Sequence, residues 1–193
     1  MRLGPLARSL LACLLAACTV EQEQVPVWAA VGPEALSEVQ QRQLARAIQA
    51  RDALFSALGG RLQAALEQGT PAEAITVCRE AAPRIAAEVS SAQGVAIGRT
   101  SQRLRNPQNT PPAWAAAYVA SAADQRACFA GPAGELGVLL PIRTLGLCTS
   151  CHGPSEVLDP EVVASLAADY PQDRATGYGV DQLRGWFWVE VDP

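Results

Sequence analysis

The stretch TPAEAITVCREAAPRIAAEVSSAQGVAIGRTS, Thr70 to Ser101, passes from one kind of secondary structure to another, and that passage decides the fold class. Its first four residues are a helix start. Thr70 offers an N-cap oxygen, Pro71 suits a first helical position that needs no N–H, and Glu73 stands where a capping box needs a carboxylate. Ile75, Cys78, Ala82, Ile85 and Val89 follow at helical spacing, so they share one apolar stripe and Cys78 points toward the core. Gly94 ends the pattern, and Val95 to Ser101 has the β-branched composition of a strand.

Upstream, Leu36, Val39, Leu44, Ile48, Phe55, Leu58, Leu62 and Leu66 predict a long helix, with Gly59-Gly60 as the place where it breaks or kinks. Residues 19–33 lack periodicity and read as a tether. Downstream, RLRNPQNTPP is a turn-rich passage that leads into a helix near Pro112 carrying Trp114 and Tyr118. GVLLPI, Gly137 to Ile142, reads as a short strand whose internal proline suits an edge. Asp159-Pro160-Glu161 opens a further short helix, and GWFWVEV, Gly185 to Val191, alternates as a strand. Helices come first and a small antiparallel sheet later, which is an α+β arrangement with a long N-terminal helix. Aromatic residues are few and alanine is abundant, so helices must pack closely through small side chains.

The N-terminus speaks to compartment. MRLGPLARSLLACLLAAC has a positive start at Arg2 and Arg8 and an apolar run too short to span a bilayer, the form of an export signal. Leu15-Ala16-Ala17-Cys18 is similar to a lipobox, in which Cys18 is lipidated. The expected organisation is a signal peptide over 1–17, a lipid-anchored tether over 18–33 and one domain over 34–193. Such a chain sits on the periplasmic side of a bacterial membrane, and Thr19 rather than Asp after Cys18 favours the outer one. Loss of Arg2 and Arg8 takes the formal net charge from −4 to about −6, which excludes a nucleic-acid surface.

The chain's one histidine follows a cysteine pair in LCTSCHG, Leu147 to Gly153. In an exported protein Cys148-Thr149-Ser150-Cys151-His152 is the attachment signature of haem c: each thiol adds to a vinyl group, and the imidazole of His152 reaches the iron. A thioredoxin-like pair would follow a strand in a βαβ unit, a zinc site would need Cys78 or Cys128 as its fourth ligand, and a Cys148–Cys151 disulfide leaves His152 unexplained. Elimination narrows the other side of the iron. Met1 leaves with the signal and lysine is absent, so Cys78, Cys128, Tyr118, Tyr170, Tyr178 and an open site remain. Arg99, Arg103 and Arg105 are candidate partners for the two haem propionates, and Asp173 reads as a loop stabiliser.

Residues 74–114, then Pro141-Ile142, CTSCHG, YPQDRATGY and LRG, resemble the successive blocks of a family of extracytoplasmic c-type haem domains of unknown function. Members occur alone and as sensor regions of histidine kinases. The resemblance runs from about Leu54 to Val191 and implies a PAS-like fold, a sheet flanked by helices, with His/Cys axial ligation by His152 and Cys78. Trp186 and Trp188 depart from its pattern, and Cys128 inherits no role. The expected function is low-potential electron transfer without catalysis, with a haem-based redox or gas sensor as the alternative. The expected partners are the membrane, a separate redox or signalling protein and, as a further candidate, a second copy of the chain.

Overall fold

A computed structural model describes residues 27–193. The expected signal peptide, Cys18 and most of the expected tether therefore lie outside the described residues. Five strands form one antiparallel sheet: β1 (Ala29–Val31), β2 (Ala96–Thr100), β3 (Ala127–Ala130), β4 (Leu136–Arg143) and β5 (Leu183–Val191), in the order β1-β3-β4-β5-β2. The helices are α1 (Glu38–Gln68), α2 (Pro71–Gln93), α3 (Ala116–Ser121), α4 (Thr149–His152) and α5 (Pro160–Asp169). The class is α+β.

Alternation along the strands sorts side chains onto two faces. Leu136, Val138 and Leu140 of β4 join Phe187, Val189 and Val191 of β5 beneath Ala47, Ala50 and Leu54 of α1. The opposite face carries Leu139 and Trp186, covered by Ala115 and Val119 with Trp114 and Tyr118 packed alongside. Alanine at Ala47 and Ala50, both fully buried, lets α1 lie close on the sheet. α2 returns antiparallel to α1 and is flanked by α5, with Ile75 packed among Leu158, Val162 and Leu166.

The helix starts follow the sequence. Thr70 accepts from the Glu73 amide while the Glu73 carboxylate accepts from the Thr70 amide, and Asp159 accepts from the Glu161 amide. Ser37 and Gln40 make a second capping box, which the sequence reading passed over.

Four expectations are corrected. The tether ends earlier than residue 33, because Ala29–Val31 pairs with Cys128–Ala130 and Trp28 stacks on Trp114 at 5.3 Å. α1 runs unbroken through Gly59-Gly60: its hydrogen bonds and its packing against α2 outweigh the low helix propensity of two glycines. GVLLPI is the central strand, not an edge. Pro141 is tolerated there because β3 ends opposite Leu139, leaving β4 with one open side at the proline. Trp186 and Trp188 are accommodated rather than disruptive, since Trp186 is buried and Trp188 lies over Gly98, its partner across the β2–β5 ladder.

Candidate haem-binding cavity

The cysteine pair and His152 sit on two short turns. Gly146–Cys148 is a 3₁₀ turn that leads directly into the single turn of α4. The Thr149 hydroxyl donates to the Gly146 carbonyl at 2.7 Å and the Leu145 amide donates to Cys148 Sγ at 3.3 Å. Gly153 ends the turn, and a side chain there would meet the Thr149 carbonyl oxygen. Cys148, Cys151 and His152 thereby come to one wall of a cavity.

A second loop fixes the imidazole. The Gly177 and Tyr178 amides donate to the carbonyls of Gly153 and His152 at 2.7 and 2.8 Å. His152 Nδ1 lies 2.6 Å from the Ala175 carbonyl oxygen and 3.3 Å from Arg184 Nε. A guanidinium cannot accept, and a single nitrogen cannot both donate to Ala175 and accept from Arg184. The shorter contact decides: Nδ1 carries the proton and donates to Ala175, so Nε2 keeps its lone pair. Burial, followed by Arg105 and Arg184, lowers the His152 pKa to about 2, which keeps the ring neutral and able to ligate.

Asp173 supports this arrangement. One carboxylate oxygen accepts from the Ala175 amide at 2.8 Å, and the other pairs with Arg105 Nε at 3.1 Å in a mostly buried ion pair. Arg105 Nη2 also donates to the Cys151 carbonyl. Arg105 thus ties the attachment turn to the loop that holds the histidine.

The opposite wall comes from α1, α2 and β2. The cavity is about 480 Å³, within the range of small-molecule sites, and largely apolar. Cys78, Cys148, Cys151 and His152 all line it, with Leu58, Leu62 and Leu66 of α1 above and Phe187 of β5 below. Burial pushes the Cys78 thiol up, and Arg99 opposes that shift. Arg99 shares the inner face of β2 with Ile97, faces the cavity and has no carboxylate partner among the described residues.

Of the seven residues set out for cofactor and iron, this cavity gathers six: Cys78, Cys148, Cys151 and His152 together with Arg99 and Arg105. Arg103 is excluded. Its guanidinium lies 4.3 Å from the Tyr178 ring centre and its Nε donates to the Arg174 carbonyl, contacts that hold it outside the lining. Among the distal alternatives, Cys78 and Tyr170 line the cavity. Cys128 is buried in the sheet core, Tyr118 donates to the Gln125 carbonyl on the far face of the sheet, and Tyr178 packs edge-on to His152 at 6.3 Å. Among the described residues no three His, Cys, Asp or Glu side chains converge as for an ion, so the zinc alternative lacks a ligand set. Arg184 and Ala175 were missed in the sequence. Arg184 sits in the LRG block, where an arginine between Leu183 and Gly185 was the available signal.

These features define a class of protein: an α+β domain in which a sheet and a helical pair enclose an apolar cavity against a Cys-Xaa-Xaa-Cys-His turn. The chain belongs to the Tll0287-like family, which it matches over residues 13–192. Its fold is similar to that in the crystal structure of the cyanobacterial heme-protein Tll0287, with a TM-score of 0.59 at 20% identity over 83% of this chain and 96% of that one. No curated protein matches the chain.

Proposed function

We propose that the cavity holds one haem c, bound through thioethers at Cys148 and Cys151 with His152 and Cys78 as axial ligands, and that the protein transfers electrons outside the cytoplasm. The observation that carries this reading is the meeting of Cys78, from α2, with the attachment turn in one apolar space. The solved relative in the fold comparison is a heme-protein, which agrees.

Bound haem would supply a one-electron couple, held low by thiolate donation. The chain's own residues do the rest. Ala175 orients His152 with Nε2 free, Arg105 clamps the Cys151 backbone, and Arg99, which has no carboxylate partner among the described residues, offers a cationic donor to a propionate. The apolar residues of α1 and β5 exclude water. No acid/base pair is needed for this role, and we assign no catalysis. On this reading Cys18 anchors the domain to a bacterial membrane from the periplasmic side, the outer membrane in preference to the inner, where it meets a separate redox protein.

A sensor reading has one observation in its favour. Cys78 reaches the cavity from α2, so loss of its bond to iron would both open the iron and release that helix. Signalling then requires a separate partner, or a second copy of the chain, that reads the position of α2.

The test is spectroscopic. Protein from a host that matures haem c should show covalent haem with a low-spin thiolate signature in electron paramagnetic resonance. Cys78→Ala should lose that signature and keep the haem, whereas Cys148→Ala with Cys151→Ala should lose covalent haem. A spectrum that survives Cys78→Ala and collapses in Cys128→Ala would overturn the ligand assignment.

A further inference from the structure

The cavity shares a wall with a second space. Arg79, Pro83, Asn106, Gln108 and Tyr170 each face both the cavity and an outer cleft of about 400 Å³. These five residues form a wall common to the two spaces.

The chemistry of the cleft narrows what it can pass. Arg79 pairs with Asp169 at 3.0 Å, and Asp169 also accepts from the Thr76 hydroxyl at 2.7 Å. The one cation lining the cleft is therefore neutralised and selects no anion. Pro83, Pro107 and Pro171 fix the backbone around it. Asn106 is held in a turn by accepting from the Gln108 amide at 2.9 Å. Tyr170 differs. It follows the last turn of α5 with its backbone tied to Leu166 and Asp173, and its half-buried ring is the largest side chain in the shared wall. Cys78 lines the cavity and stands next to Arg79, its neighbour on α2 and one of the residues the two spaces share.

We propose that this cleft is the inlet through which uncharged diatomic molecules reach the cavity, with the Tyr170 ring as its gate. The proposal rests on the haem reading above. A neutral diatomic needs neither charge nor a hydrogen-bond donor to pass, and a rotating ring suffices to admit it.

Carbon monoxide is the probe, and Cys78→Ala in reduced protein is the background, so that binding does not wait on loss of a ligand. Association is timed after flash photolysis, and covalent haem is measured separately by absorption. Gln108→Trp, a change at an exposed position that fills the cleft, should slow association by about tenfold, and Tyr170→Ala should speed it several-fold. Rates within about twofold of the background for Gln108→Trp overturn the inlet. An unchanged rate in Tyr170→Ala with a slowed Gln108→Trp overturns the gate. Absence of covalent haem from the background protein instead overturns the haem reading itself, and the absorption measurement separates that failure from the other two.

Discussion

Asp173 shows how much a single side chain can hold at this site. Its side chain is 9% exposed and that of Arg105 13%, so Asp173→Ala leaves a guanidinium buried without its counter-charge. The expected cost is about 3–5 kcal/mol in urea unfolding, with Asp173→Asn losing less because the amide oxygen still accepts from Ala175. An equal loss in both variants would place the effect in the charge alone. At this scale the sequence was legible where chemistry is local. Cys148, Cys151 and His152 are readable because five consecutive residues define the motif. The Ala175 carbonyl and Arg184 were not, because a backbone oxygen carries no residue signature and Arg184 reaches His152 across 32 positions. Arg103 misled for a related reason: three arginines within seven residues look alike until their directions are known.

Elements were legible where they announce their own ends. α2 was readable from Thr70-Pro71-Ala72-Glu73 and its stripe, and α5 from Asp159-Pro160. β1 was not, since three residues of Ala-Ala-Val have no periodicity and gain their structure only by pairing with β3. The same tertiary dependence explains why Gly59-Gly60 stays helical and why Pro141 sits in a central strand. The β2–β5 ladder supplies a prediction at this scale. A side chain at position 98 would press into the Trp188 ring, so Gly98→Val should destabilise the fold by about 1–3 kcal/mol and shift tryptophan emission. An unfolding midpoint equal to that of the parent would mean that Trp188 moves aside freely.

For the whole molecule, the buried histidine links stability to acidity. Its pKa is about 2 in the folded protein against 6.5 for the ordinary group, so between those values the unfolded chain binds the extra proton. Stability therefore falls as pH falls, by about 1.4 kcal/mol per unit well below 6.5. Haem-free protein should lose about 2 kcal/mol more between pH 7 and pH 5 than His152→Gln does, measured by urea unfolding at each pH. Equal losses would show that His152 is accessible to protons in the native state.

The attachment turn and Cys78 differ in how far apart their parts lie along the chain. Cys148, Cys151 and His152 lie within five consecutive residues on two adjoining turns, while Cys78 comes from α2, which packs against α5 and the sheet. On the proposed reading this separates maturation in time. The thioether bonds would need only that short stretch of chain. The distal sulfur would be in place only once α2 has packed, so its ligation would report that the molecule has finished assembling.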